Sequence, residues 1–255
     1  MKKIIAFIGS ARKGGTYRGI QTFESALREY EEIEFESVFL NDYDLHFCNG
    51  CKVCFDKGEE RCPLKDDRDN LLDKIHKSDG IVFASPNYAF QVSGRMKNFL
   101  DRTAYFFHRP HFFGKTFTAI ITQGVFGGKK IQKYLEKRGD NYGFKITKGA
   151  CMKTLEPMTI KQEKQMEKKI KKAAARFYRS LRRETLPSPS LLKLLMFRIV
   201  RKNVQSIDPD YRDHSYFKEN GWFESDYYHA TSLGFFKKTA GRFFDFLGSL
   251  TVKSS

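Results

Sequence analysis

No apolar run in this 255-residue chain approaches the roughly 18 residues that a membrane-spanning helix needs, so a helical spanning protein is excluded. The opening Met1-Lys2-Lys3 followed by Ile4 to Ile8 has the order of a secretory leader, but its apolar stretch ends at Gly9-Ser10-Ala11-Arg12, short of the about 7–15 residues such a leader uses. A cytoplasmic location is therefore expected, and in that reducing compartment the five cysteines read as ligands or thiols rather than disulfides. There is no internal repeat and no low-complexity tract. No serine-histidine-acid set and no paired carboxylates stand out, and none of the six histidines falls in a metal-ligand or nucleophile-base pattern, which argues against hydrolytic chemistry run by side chains.

Positive charge is plentiful: 46 Lys and Arg face 30 Asp and Glu, a net of +16, and the segment from Lys161 to Lys202 carries 14 basic against 3 acidic residues. Ahead of it, short apolar runs alternate with helix-like stretches. Strands are predicted over Lys3–Ile8, Ile33–Phe39, Gly80–Ala84, Thr116–Thr122 and, as the last strand, Gly143–Gly149, and helices over Thr16–Tyr30, Asp69–Lys77, Ser93–Thr103 and Lys129–Arg138. Such alternation predicts a doubly wound parallel sheet with helices on both faces, whose ligands sit beyond the carboxyl ends of the strands. The loops after Ile8, Ala84 and Thr122 are thus the places to search. A basic helix over 161–184, a break at Pro187 and Pro189, and two further helices over 191–202 and 233–250, the latter heavily aromatic, follow.

The first of those loops reads Gly9-Ser10-Ala11-Arg12-Lys13-Gly14-Gly15-Thr16. Glycines let backbone amides approach a phosphate, the start of the following helix adds partial positive charge, and Ser10, Arg12 and Thr16 can donate hydrogen bonds. A triphosphate loop would need lysine where Gly15 stands, and the dinucleotide pattern G-x-G-x-x-G is missing. A small monophosphate remains, and that of flavin mononucleotide (FMN) suits the loop; the plainer reading is a glycine-rich turn that only joins strand to helix. In the second loop Pro86 stops the strand and frees the next amides, while Asn87 and Tyr88 offer a polar edge and an aromatic face.

Taken in order, Gly-Ser-x-Arg-x-x-Gly-x-Thr, Ser85-Pro86-Asn87-Tyr88 and Gly94-Arg95-Met96-Lys97-Asn98-Phe99-Leu100-Asp101-Arg102 resemble the NAD(P)H-dependent FMN reductases, flavodoxin-fold oxidoreductases that include the iron-sulfur flavoproteins. The resemblance implies that Ser10, Arg12, Gly15 and Thr16 hold the FMN phosphate. It further implies that Pro86, Asn87, Tyr88 and Ala89 follow the ribityl chain and flavin edge, and that Thr122, Gln123, Gly124, Gly127 and Gly128 border the isoalloxazine. NAD(P)H would be the co-substrate. The lack of acid-base machinery is in keeping with this, because a flavin carries the chemistry and the protein supplies placement and electrostatics. Lys97, Asp101 and Arg102 read as structural, holding their helix beside the loop.

Four cysteines fall in Cys48-x2-Cys51-x2-Cys54-x7-Cys62-Pro63. Three thiolates at intervals of three can wrap one compact centre, and a fourth beside proline is similar to ferredoxin-type ligation, although that pattern has a shorter last gap. Zinc, which more often uses two separated C-x-x-C turns, is the second reading. The third is metal-free thiols beside the flavin, with Lys52, Lys57 and Arg61 favouring thiolates. The resemblance implies a [4Fe-4S] cluster on Cys48, Cys51, Cys54 and Cys62. Cys151 reads as a small buried hydrophobe.

The aromatic segment from Phe106 to Phe113, with His108 and His111, is expected to face a partner subunit, since so large a patch is costly in water. Arg109, Lys129 and Lys130 are candidates for a phosphorylated nicotinamide on charge and loop position. The basic region from 161 to 202 reads as a solvated helix face, or as a surface for anionic lipid together with the aromatic last helix; no nucleic-acid motif accompanies it, so nucleic acid is not expected. Residues 208–228 resemble extensions found on some bacterial members of the family.

The reading is a flavodoxin-like α/β domain with a five-stranded parallel sheet over residues 1–185, binding FMN, and a basic, aromatic-rich helical extension over 186–255. It passes electrons from NAD(P)H through flavin, and through the cluster where one is held, to a small-molecule or protein acceptor, as a homo-oligomer. The alternatives are a flavin or iron-sulfur electron carrier or redox sensor with little turnover of its own, and a phosphate-binding interaction module with a zinc knuckle.

Overall fold

Ile4 to Ile8 are buried in succession along strand β1 (Lys2–Ile8), as a central parallel strand covered on both faces requires. In the computed structural model, which describes residues 1–253 and the side chains of residues 1–249, β1 is followed by α1 (Gly15–Arg28), β2 (Ile33–Phe39), the one-turn helix α2 (Val53–Asp56), α3 (Arg68–His76), β3 (Gly80–Pro86) and α4 (Gly94–Arg102). Then come β4 (Thr116–Gln123), α5 (Gly128–Asn141), β5 (Lys145–Ile146), β6 (Ala150–Lys153), α6 (Ile160–Leu181), α7 (Leu191–Ser206), α8 (Arg212–Glu219) and α9 (Phe235–Lys253). Two compact units result: Met1–Asn49, Leu64–Phe107 and His111–Thr185 form the first, while Gly50–Pro63, His108–Pro110 and the chain from Leu186 form the second.

The first unit is a parallel sheet in the order β2-β1-β3-β4-β5, with β6 also paired to β4. This is the flavodoxin-like winding expected from the sequence, and its order reverses between β1 and β3. The side-chain alternation of strands divides the core in two. Ile4, Ala6, Ile8, Val82, Ala84 and Ile120 point into one layer, closed by Ile20 and Phe23 of α1 and Ile170 and Phe177 of α6. On the opposite face Phe7 stacks on Phe99 of α4, at 5.2 Å between ring centroids, and Phe83 meets both Phe99 and Phe117. Helices α4 and α5 cover this face, α5 by bringing Gly139 against the Phe117 ring.

The last strand departs from expectation. Instead of one strand over 143–149, two short strands pair with β4: Lys145 stands opposite Thr116, whereas Ala150 stands opposite Ile120. The partner offset thus grows by one residue between them, as at a bulge. Gly149 sits at that step, where a Cβ would lie 1.8 Å from the Ala119 carbonyl oxygen, so the backbones approach more closely than any side chain permits. The strand resumes beyond it and ends at Lys153.

A second departure concerns the aromatic segment. Phe106 and Phe112 are buried, Phe106 against Phe112 at 4.6 Å and Phe112 stacked on Phe144 at 4.7 Å, so these rings fill the first unit rather than a subunit contact. Of the segment's four phenylalanines only Phe107 is exposed.

In the second unit α7 and α9 lie side by side. Arg198 and Arg201, both buried, hold Asp245 of α9, and Arg198 also reaches Asp226, so part of the basic segment is neutralised internally. Trp222 packs edge-on against Phe217 and Tyr228, and its indole N–H donates to the Tyr228 carbonyl at 3.0 Å. Helix α8 was not expected from the sequence; its one core residue of large size, Phe217, gives no periodic signal. The exposed lysines of α6 form a solvated face opposite Met166, Ile170, Ala173, Ala174, Phe177 and Leu181.

Candidate functional site

Beyond the carboxyl ends of β1, β3 and β4 the three connecting loops line one cleft of about 390 Å³. Ser10, Arg12, Gly15, Thr16, Pro86, Asn87, Tyr88, Thr122, Gln123 and Gly124, all singled out from the sequence, border it. The sequence also pointed to Ala89, Gly127 and Gly128, which stand next to it in the second and third loops and are not among the residues lining it. Thr154, Leu155 and Glu156 line it too. They follow β6, and the strand end expected at Gly149 hid them.

Each wall has a local cause. Ser10 Oγ donates to the Arg12 carbonyl at 2.9 Å, and the Gly14 amide donates to the same oxygen, also at 2.9 Å, which curls the first loop. No side chain caps the start of α1 and no acidic residue lies in its first turn, so its first amides and its positive dipole end are left for a ligand. Gly15 is required there, because a Cβ would lie 2.9 Å from the Thr154 Cβ. Thr16 and Thr122, both buried, share a hydrogen bond of 2.7 Å.

In the second loop Tyr88 and Gln91 exchange backbone hydrogen bonds of 3.0 and 2.9 Å around Ala89 and Phe90, whose φ values are 48° and 64°. Two successive positive φ angles are the geometry of a tight hairpin turn, which non-glycine residues adopt at a cost and mostly near functional sites. The turn displays Phe90 against Phe126 of the third loop, at 5.3 Å between centroids. Asn87 ties these loops together: its Nδ2 donates to the Phe126 carbonyl at 2.9 Å and its backbone N–H donates to the Thr122 carbonyl at 2.7 Å. Its Oδ1 is buried and accepts nothing within the protein. Glu156 at the rim is paired with Arg18, so the cleft keeps the positive character of Arg12 and the α1 terminus.

A wider, open groove of about 640 Å³ between α1 and α6 carries no comparable chemistry; its Lys171 is answered by Glu29 and Glu167.

The third sequence motif lies in α4 and faces elsewhere. Asn98 Nδ2 donates to the Leu45 and His46 carbonyls at 2.8 and 3.3 Å, and Arg102 donates to the His46 carbonyl at 2.9 Å while gripping Asp66 with both side chains out of solvent. Burial pushes the Asp66 carboxyl up, but the Arg102 guanidinium and the amides of His46 and Arg68 outweigh it and hold the group below the usual carboxylate range. Asp66 Oδ2 accepts the His46 amide at 2.9 Å, and Asp44 and Asp67 are joined by two more hydrogen bonds, so both ends of the cysteine-bearing segment are pinned together.

Within that segment Cys48 belongs to the first unit and Cys51, Cys54 and Cys62 to the second. Cys48 and Cys51 are exposed, Cys54 and Cys62 half-buried. Among the described residues no group of three or more His, Cys, Asp or Glu side chains stands where it could hold a metal ion. Cys151 is half-buried, and burial pushes its thiol up despite Lys169 and Lys129. Arg109, expected as a contact for nicotinamide phosphate, is 1% exposed and committed within the second unit: it pairs with Asp213 and donates to Glu59 at 2.8 Å and to the Cys54 carbonyl at 2.7 Å. It ties the cysteine segment to α8 and is not available to a ligand. His108 lies beside it, its Nδ1 2.7 Å from Asp213. Lys129 and Lys130 are exposed in the first turn of α5.

The model of the NADPH-dependent FMN reductase family matches residues 2–152. The chain is similar to an iron-sulfur flavoprotein of Archaeoglobus fulgidus, 33% identical over 138 residues covering 53% of this chain and 61% of that protein. It is also similar to an iron-sulfur flavoprotein of Clostridioides difficile, 30% identical over 175 residues, 64% of this chain and 74% of that one. The chain thus spans less than two thirds of the archaeal relative. Among solved structures, RosB with a bound intermediate, 8-demethyl-8-formylriboflavin-5'-phosphate, superposes with a TM-score of 0.55 over 92% of both chains at 14% identity, a likeness of fold.

Proposed function

As a member of the NADPH-dependent FMN reductase family, this chain, we propose, binds FMN in the cleft at the ends of β1, β3 and β4 and uses it to pass electrons from NAD(P)H to an acceptor. The observation that carries the reading is the convergence of three loops on an uncapped helix N-terminus at the switch point of the sheet. The donor set suits the ligand. Ser10, Arg12, Gly15 and Thr16 would hold the phosphate through side chains and the first amides of α1. Asn87 Oδ1, a buried acceptor lacking a partner, answers an N–H of the ring system, with Pro86, Tyr88 and Ala89 along the flavin edge. Thr122, Gln123, Gly124, Gly127 and Gly128 would border the ring from the third loop.

Bound FMN supplies hydride acceptance and one- or two-electron release. The chain's part is placement: the Thr16–Thr122 bond fixes the floor and the strained turn at Ala89 and Phe90 sets the rim, while Lys129 and Lys130, exposed in the first turn of α5, would attract a phosphorylated nicotinamide by charge. A [4Fe-4S] cluster on Cys48, Cys51, Cys54 and Cys62 is supported by the cysteine spacing and by the names of the relatives. A cytoplasmic homo-oligomer reducing a small molecule or protein completes the reading; among the described residues no helix is long and apolar enough to cross a membrane.

The test is the visible spectrum of protein purified without oxygen, with iron and acid-labile sulfide assayed on the same sample and NADPH then added. Flavin bands that bleach with NADPH establish the reductase, and a broad shoulder with iron and sulfide adds the cluster. Protein that takes up no FMN on reconstitution, or whose flavin is inert to both NADPH and NADH, overturns the reading.

A further inference from the structure

Helix α9 presents two opposite faces. Gly241 and Gly248, seven residues apart, are buried against α7, where a Cβ would lie 3.4 Å from Arg198 and 3.1 Å from Lys202. Asp245, the one acidic residue of the helix, is turned to the same side and held by Arg198 and Arg201. At 3.6 residues per turn Phe235, Phe236, Phe243 and Phe246 fall within about 100° of arc on the other side. They are 89%, 71%, 58% and 58% exposed, far above what a packed aromatic residue shows. Lys238 and Arg242, both exposed and four residues apart, run along the border of this face, Arg242 one turn from Phe246.

We infer that this face of α9 is a docking surface for an anionic lipid bilayer, on which the helix lies in the plane of the headgroups. Aromatic rings favour the boundary between headgroups and acyl chains, basic side chains favour the anionic phosphates, and stable attachment of this kind takes both signals together. Both are present on one face, and the only acid of the helix is withdrawn from it and neutralised. That charge pattern decides against a second copy of the chain, because a self-contact through this face would bring Lys238 and Arg242 near their own equivalents with no acidic group of α9 to answer them. The helix would lie on the membrane and not span it, in keeping with the absence, among the described residues, of any helix apolar enough to cross.

The full chain is sedimented with vesicles of phosphatidylcholine alone and of phosphatidylcholine with about one-third phosphatidylserine. Binding is expected to the anionic vesicles only and to fall with added salt. The Phe243→Ser/Phe246→Ser variant should bind at least about tenfold more weakly, and Lys238→Glu/Arg242→Glu should not bind, while far-UV circular dichroism and the urea midpoint stay at parental values because all four side chains point into solvent. Absence of binding to anionic vesicles, equal binding to neutral ones, or undiminished binding by the phenylalanine variant overturns the inference. A loss of oligomer mass in light scattering caused by the phenylalanine substitutions, without vesicle binding by the parent, assigns the face to a second copy and overturns it as well.

Discussion

The hydroxyls of Thr16 and Thr122 lie 2.7 Å apart, both buried, and join the first turn of α1 to the end of β4 at the floor of the cleft. Thr122→Val keeps the shape and removes one hydroxyl, leaving the other buried without its partner. Stability should fall by about 1–3 kcal/mol, the cost of an unmet buried polar group, and FMN should bind several-fold more weakly because the α1 amides lose their reference point. Urea denaturation and flavin fluorescence quenching read the two effects; unchanged values in both would show the bond to be incidental.

The Asp66–Arg102 pair makes a prediction about acid. Because the folded carboxyl is held below its ordinary value, the pair's contribution is complete above the unfolded aspartate pKa of about 3.9 and is lost as pH falls through the lower folded value. The urea midpoint of the parent should drop steeply below pH ~4, and Asp66→Asn should flatten that part of the profile while lowering stability at neutral pH. Arg102→Met, which strands a buried carboxylate, should cost about 3–5 kcal/mol at pH 7. A parent and an Asp66→Asn variant with parallel acid profiles would refute the assignment.

Arg109 governs the order of the cysteine segment. Arg109→Gln leaves Asp213 and Glu59 without the cation that neutralises them and frees the Cys54 carbonyl. Amide exchange over residues 51–62 should accelerate by about 10- to 100-fold, with β3 unchanged as an internal control. Hydrogen-exchange mass spectrometry decides it, and equal rates in parent and variant would return Arg109 to the pool of ligand contacts.

Gly149→Ala places a methyl group against the Ala119 carbonyl, a backbone atom that cannot rotate away. The expected loss is about 3 kcal/mol or more, at the upper end of overpacking costs. Because Thr154, Leu155 and Glu156 follow the same strand, flavin affinity should decline with it. A variant as stable as the parent would mean that the sheet edge yields easily.

What the sequence made legible was whatever local periodicity or loop chemistry encodes. Ile4–Ile8 and Gly80–Ala84 are continuous apolar runs, Thr116–Thr122 is an apolar run interleaved with threonine, and each is a central strand. The glycine-rich loop and Pro86-Asn87-Tyr88 announce themselves because strand ends must change direction there. The step at Gly149 leaves no such trace, since one extra residue in a short edge strand alters no hydrophobic period. Arg109 beside Pro110 reads as exposed cation until Glu59 and Asp213, far away in the chain, are brought to it. Likewise Asn98 looks like an ordinary polar helix residue until the carbonyls of Leu45 and His46 appear opposite. Rings such as Phe106 and Phe112 carry the same composition signal whether they end inside or outside.

The hydrogen bonds that clasp residues 44 and 46 to residues 66 and 67 close a neck whose strength owes nothing to the cysteines beyond it. Once such a neck is shut, lengthening or replacing the enclosed chain costs only the slow logarithmic growth of loop entropy, about 0.6 kcal/mol per doubling. The segment therefore behaves as an interchangeable cassette: the sheet can be inherited intact while the stretch of chain plugged into it is rewritten, extended or discarded.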